Sequence, residues 1–190
     1  MYPSVVSRYY DSYTWKSKLD FKRLSGPARI LKHSNKILIS CLHPDHPIRS
    51  RVNEVEYLTF KVSEKVDHSK NKVTGKRKKG GQVSFKAKAY KLVTASIKLS
   101  CQFLQETTPI LGIKLKGEED LVLIQVGIRG RLIEINQSII ENPKLLFENS
   151  EGRGYIAILL PKLENPFTEE HTIDSAREEG TYRIMQHNLC

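Results

Sequence analysis

The passage from residue 127 to residue 161, GIRGRLIEINQSIIENPKLLFENSEGRGYIAILLP, constrains the fold more than any other part of this chain. Arg131-Leu132-Ile133-Glu134-Ile135-Asn136 alternates charged or polar with apolar side chains, the pattern of a half-buried strand. Asn136 is placed to cap a short helix over Gln137-Ser138-Ile139-Ile140-Glu141, which Asn142-Pro143 stops after about one turn. Gly152 and Gly154 release the chain into Tyr155-Ile156-Ala157-Ile158-Leu159-Leu160, an apolar run of strand length closed by Pro161. Strand, capped turn and closing strand together predict a mainly β domain.

The rest of the chain extends that layout. Ala28 to His33 and the run 36–42 alternate on either side of Ser34-Asn35, a hairpin signal. Val55-Glu56-Tyr57-Leu58-Thr59-Phe60-Lys61-Val62 is rich in β-formers and predicts the next strand. The runs 111–115 and 121–128 flank Lys116-Gly117-Glu118-Glu119-Asp120, a second hairpin. Tyr9-Tyr10-Asp11-Ser12-Tyr13-Thr14-Trp15 reads as an aromatic lead-in that caps the core. From Thr172 a polar cap and acidic first turns predict a C-terminal helix, at a cost of about 1 kcal/mol for Gly180.

With 190 residues, 39% of them hydrophobic, the chain can close one core. No apolar run approaches the ~20 residues of a membrane helix, and Met1-Tyr2-Pro3-Ser4 lacks the layout of a secretory signal, so a cytoplasmic or nuclear address is expected. Cys41, Cys101 and Cys190 are distant and odd in number, which is no disulfide framework.

Positive charge is concentrated. Between Lys61 and Lys91, eleven Lys or Arg face only Glu64 and Asp67, which leaves +9 of the chain's +10 in one stretch. Its densest part is Lys76, Arg77, Lys78 and Lys79, between Gly75 and Gly80-Gly81. Three readings stay open: a solvated loop, a nuclear import signal lying extended on an acidic receptor, or contact with an acidic macromolecule. No aromatic residue interleaves the four cations, which counts against base stacking and direct reading of nucleic acid.

Two local clusters carry chemistry-bearing residues. Cys41-Leu42-His43-Pro44-Asp45-His46 offers the ligand types zinc prefers, but two nearby prolines and the lack of a second cluster argue against a closed four-ligand site. No Gly-x-Ser-x-Gly elbow or phosphate-binding Gly-x-x-x-x-Gly-Lys-[Ser/Thr] loop is present, so neither an enzyme nor a cofactor is expected.

The order of elements resembles the second half of the glycine cleavage H protein and of lipoyl and biotinyl carrier domains. That resemblance implies a lipoyl-like, single-hybrid, barrel-sandwich β fold with short helices and a C-terminal helix. Carriers of this kind work from a lysine at a hairpin apex. Here the equivalent tip is Gly117-Glu118-Glu119-Asp120, with Lys114 and Lys116 on the strand before it and no Glu-Ser-x-Lys or Met-Lys-Met context, so the carrier role is expected to be absent.

A closer resemblance covers more of the chain. Pro3-Ser4-Val5-Val6-Ser7-Arg8-Tyr9-Tyr10, Ile30-Leu31-Lys32-His33-Ser34-Asn35-Lys36-Ile37 and Asn71-Lys72-Val73-Thr74-Gly75-Lys76, with the blocks 126–136 and 151–163, follow the Abitram (Simiate) family in that order. What this resemblance implies is an actin-binding regulatory protein of the nucleus, including its speckles, and of actin-rich protrusions such as lamellipodia and growth cones. Such a protein influences actin assembly and transcription without catalysis. Actin and an import receptor are then the expected partners, with Lys76, Arg77, Lys78 and Lys79 as the candidate contact. The alternative is a lipoyl or biotinyl carrier or accessory subunit.

The expected organisation is a lead-in over 1–27, a lipoyl-like β domain over 28–163 and a C-terminal helix or tail over 164–190. Residues 83–102 are read as an insertion, because family members resemble the chain up to Gly80-Gly81 and again from Phe103-Leu104 with one Gln between. Val83-Ser84 can be encoded by GTAAGT and Cys101-Gln102 by a pyrimidine-rich stretch ending in CAG, the two ends of an intron translated in place. A genuine loop extension is the alternative, since Ala89-Tyr90-Lys91-Leu92-Val93 has β-propensity.

Overall fold

A computed structural model describes residues 5–16, 26–64, 66–70, 102–162 and 166–175. Along the chain run α1 (Val5–Tyr9), β1 (Tyr10–Trp15), β2 (Ala28–His33), β3 (Leu38–Leu42), a 3₁₀ helix (Pro47–Glu54), β4 (Val55–Thr59) and a 3₁₀ turn (His68–Lys70). Then come β5 (Phe103–Leu104), β6 (Pro109–Leu115), β7 (Leu121–Gln125), β8 (Gly130–Ile135), α2 (Ser138–Glu141), α3 (Lys144–Glu148), β9 (Ala157–Leu160) and β10 (His171–Ser175). One antiparallel sheet has the order β10-β1-β2-β3-β9-β8-β5, and a smaller one has β4-β6-β7.

Turn chemistry sets the hairpins. Between β2 and β3 the Asn35 carboxamide accepts from the Ile37 N–H at 3.0 Å, and the left-handed position falls on Lys36, with φ 70°. Between β6 and β7 it falls on Gly117, with φ 79°. After β8, the Asn136 side chain accepts from the Ser138 N–H at 3.1 Å and donates to the carbonyls of Arg153 and Tyr155 at 2.7 and 2.9 Å. One side chain thus starts α2 and pins the Gly-rich return to β9. Past Asn142-Pro143 the chain makes a second helical turn, α3, which the sequence pattern did not predict.

Both sheets bury their apolar rows in one core, as in a β-sandwich. Trp15, Ile30, Leu42, Leu132 and Leu159 come from the larger sheet, and Leu58, Ile113, Leu115 and Ile124 from the smaller. Gly127 sits where the chain leaves the small sheet; its φ is +74°, and a Cβ there would lie 2.5 Å from the Ala28 Cβ. Next to it, Ser40 Oγ donates to the Val126 carbonyl at 2.8 Å.

Two expectations are corrected at the chain's ends. Tyr10–Trp15 is no lead-in but an interior strand of the large sheet, paired with β2 on one side and β10 on the other. Thr172 does not open a helix, since His171–Ser175 runs antiparallel to β1 with Thr14 opposite Thr172 and Trp15 opposite His171. Pairing with an already aligned strand outweighs a local helix signal. The cations at 76–79, most of the insertion at 83–102 and the tail at 176–190 lie outside the described residues.

Candidate functional site

Lys76, Arg77, Lys78 and Lys79, the sequence's candidate contact residues, fall outside the described part of the chain. Lys114 and Lys116 flank the β6–β7 turn rather than its apex. The Lys114 ammonium donates to the Glu119 carbonyl at 2.8 Å, and the Lys116 N–H donates to the Glu54 carbonyl at 2.8 Å. Arg51 then bridges Glu54 at 2.6 Å and Glu118 at 2.7 Å. The turn is braced against the 3₁₀ helix, with acidic residues around its tip.

The Cys41–His46 segment is built into the fold. Cys41 is fully buried, and burial pushes its thiol far above its ordinary value, so it stays protonated. His43 Nδ1 accepts from the Asp45 N–H at 3.0 Å, which leaves the ring proton on Nε2. Nε2 therefore donates to Thr14 Oγ1 at 2.8 Å, and that hydroxyl donates to Asp174 Oδ2 at 2.6 Å. Arg29 closes the network, with Nη1 3.4 Å from the same carboxylate oxygen and Nε against Glu151. His46 caps the 3₁₀ helix by accepting from the Ile48 N–H at 3.1 Å, and burial lowers its pKa to about 4.

Arg49, which the sequence did not single out, joins this loop to α3: it donates to the carbonyls of His43 and Phe147 at 3.0 and 2.7 Å and to Ser150 Oγ at 2.8 Å. Among the described residues, no group of three His, Cys, Asp or Glu side chains is arranged to hold a metal ion. Thr14 and His43 are 4% and 7% exposed, and the relay reaches the surface at Asp174, whose side chain is 29% exposed. What it does is tie β10 to β1 and to the loop after β3.

An accessible combination lies elsewhere. Register places Phe103 of β5 opposite Arg131 of β8, and Arg131 opposite Leu160 of β9. The neighbouring row, Leu104 with Gly130 and Leu132 with Leu159, is buried, so Phe103, Arg131 and Leu160 share the outer face. Phe103 and Leu160 are 39% and 38% exposed, high for large apolar side chains in paired strands. No hydrogen bond or ion pair engages the guanidinium of the half-buried Arg131 among the described residues. Sequence reasoning missed this row because only register joins its three members.

No family model matches the chain. Named relatives do. It is 33% identical to Protein Abitram of Danio rerio over 162 residues, covering 85% of this chain and 78% of that protein. With Protein Abitram of Xenopus tropicalis it shares 33% identity over 177 residues, 93% of this chain and 84% of the relative. The Drosophila melanogaster protein of the same name is 36% identical over 164 residues, 86% of this chain and 63% of the relative. Identity at this level over most of both chains, in proteins from fish, frog and fly, means that this chain belongs to the Abitram family.

Proposed function

We propose that this protein is an actin-binding regulator that enters the nucleus and influences actin assembly, cell protrusions and transcription by surface contact, without catalysis. Family membership over most of the chain carries the reading. The described chemistry agrees with it: His43, Asp174, Cys41 and Arg29 are buried or held in architectural bonds, whereas exposed apolar and cationic groups lie on the outer sheet face. Lys76, Arg77, Lys78 and Lys79 serve an import receptor or actin's acidic surface, and the protein works in both the nucleus and the cytoplasm.

Two sheets sharing one core, with a tight hairpin at Gly117, also favour a lipoyl-like ancestry for the fold. A carrier function is disfavoured by Lys114, which donates to Glu119 beside an acidic tip instead of standing at the apex. Cosedimentation with actin filaments, repeated with monomer as competitor, tests the main reading, and no binding to either form refutes it. Replacing Lys76, Arg77, Lys78 and Lys79 by Ala should reduce nuclear accumulation of a folded protein. A lipoyl or biotinyl mass increment in native material would revive the carrier alternative.

A further inference from the structure

We infer that the outer row Phe103–Arg131–Leu160 is the face that meets actin, with Arg131 receiving an acidic side chain between two apolar contacts. This inference rests on the actin-binding reading and deepens it by assigning the surface.

The row has the composition of an interaction centre. Aromatic and arginine side chains are enriched at such centres, and a half-buried guanidinium gains most from a carboxylate once a partner excludes water. The Arg131 guanidinium is uncommitted within the described chain, so no internal ion pair has to break before a carboxylate binds. Around it the charges are mixed: Arg129 pairs with Glu106 at 3.4 Å, and the exposed Glu134 stands opposite Ile158 on the same face and accepts from the Tyr155 hydroxyl. Lys162 is exposed beyond Leu160, which leaves Arg131 as the cation between the two apolar side chains. A partner with carboxylates beside apolar side chains complements this face, and actin, whose surface is acidic, is that partner.

The backbone favours a face over an edge. β5 is only two residues long and pairs with Gly130 and Arg131 alone, so among the described residues it offers little backbone for another chain to extend. The side chains of the row therefore carry the contact. They stand on three neighbouring paired strands, which holds them in place before binding.

The test uses the full-length chain and purified actin, as monomer and as filament. Arg131→Glu and Phe103→Ser are compared with Lys144→Glu, an equal charge change at an exposed residue on α3. Arg131→Glu should weaken binding by about tenfold or more and Phe103→Ser by several-fold, and Lys144→Glu should stay within twofold. Circular dichroism and thermal melts confirm that each variant is folded, and Arg131→Gln offers a milder second variant expected to lose less. Wild-type binding that all three row variants match within twofold overturns the assignment of the face alone. Absence of wild-type binding overturns the actin reading and this assignment with it.

Discussion

The carbonyl of Gln102 accepts from the Leu132 N–H at 2.8 Å, so Gln102 is part of the sheet edge although it is the last residue of the stretch read as an insertion. Its carboxamide also meets the fully buried His68 ring at 2.8 Å. His68 Nε2 lies 2.9 Å from the Pro109 carbonyl, which can only accept, so Nε2 carries a proton and the ring is held between Pro109 and Gln102.

Excising Val83 through Gln102 brings Gln82 next to Phe103, so an identical side chain takes the seat against His68. The shortened protein should fold with nearly unchanged thermal stability, while loss of Lys86, Lys88, Lys91 and Lys98 takes the net charge from +10 to +6. Adding Gln82→Ala to it should cost about 1 kcal/mol in urea unfolding. A deletion variant that stays unfolded, or transcripts with no splice across this junction, would remove the retained-intron origin.

Acid should destabilise the fold through its histidines. His43, His46 and His171 each accept a backbone N–H at Nδ1, and burial lowers the pKa of each, that of His46 to about 4. A depressed folded pKa means that the unfolded chain binds protons first, so the contribution is complete above about pH 6.5 and disappears as pH falls toward 4. For His46 alone it amounts to about 3 kcal/mol. Urea midpoints measured from pH 7.5 to 4 should fall, and His46→Asn, which can still cap the Ile48 N–H, should flatten the slope. An equal slope in that variant refutes the assignment.

Gly127→Ala should destabilise by about 2–4 kcal/mol, because it combines a positive φ with a 2.5 Å approach to Ala28 in the core. Gly117→Ala is the matched control. It shares the positive φ, but nothing lies within 4 Å of its Cβ, so a loss of only about 1 kcal/mol is expected. Similar denaturation midpoints for the two variants would show that the close approach at Gly127 is relieved cheaply.

Thr14→Val removes both links of the His43–Thr14–Asp174 relay and leaves a buried N–H unpaired, at a cost of about 1–3 kcal/mol. Thr14→Ser should recover most of it in the same unfolding assay. A silent Thr14→Val would mean that β10 is held by its backbone ladder alone.

How far the sequence revealed the fold depended on where the stabilising partner lay. The β2–β3 and β6–β7 hairpins and the Asn136 cap were legible because alternation, turn residue and partner are all local. β1 was not, since Ser12 and Thr14 are buried along with Tyr13 and Trp15, and a strand buried on both faces lacks alternation. β10 carries polar residues that imitate a helix start until β1 pairs with it. Of the site, the 76–79 cations were evident as composition, but the Phe103–Arg131–Leu160 row joins residues from three separate strands and exists only through register.

The β1–β10 pairing also bears on how the protein is made. Trp15 donates to Glu170, 155 residues later in the chain, and is the only tryptophan. During synthesis from the N-terminus, β1 must wait for nearly the whole chain to leave the ribosome before its second neighbour exists. Until then, the backbone of an interior strand stands open to any passing β segment. Trp15 is fully buried in the closed fold, so its fluorescence is a natural reporter of the final closure, and a nascent chain stalled before residue 170 should show it red-shifted.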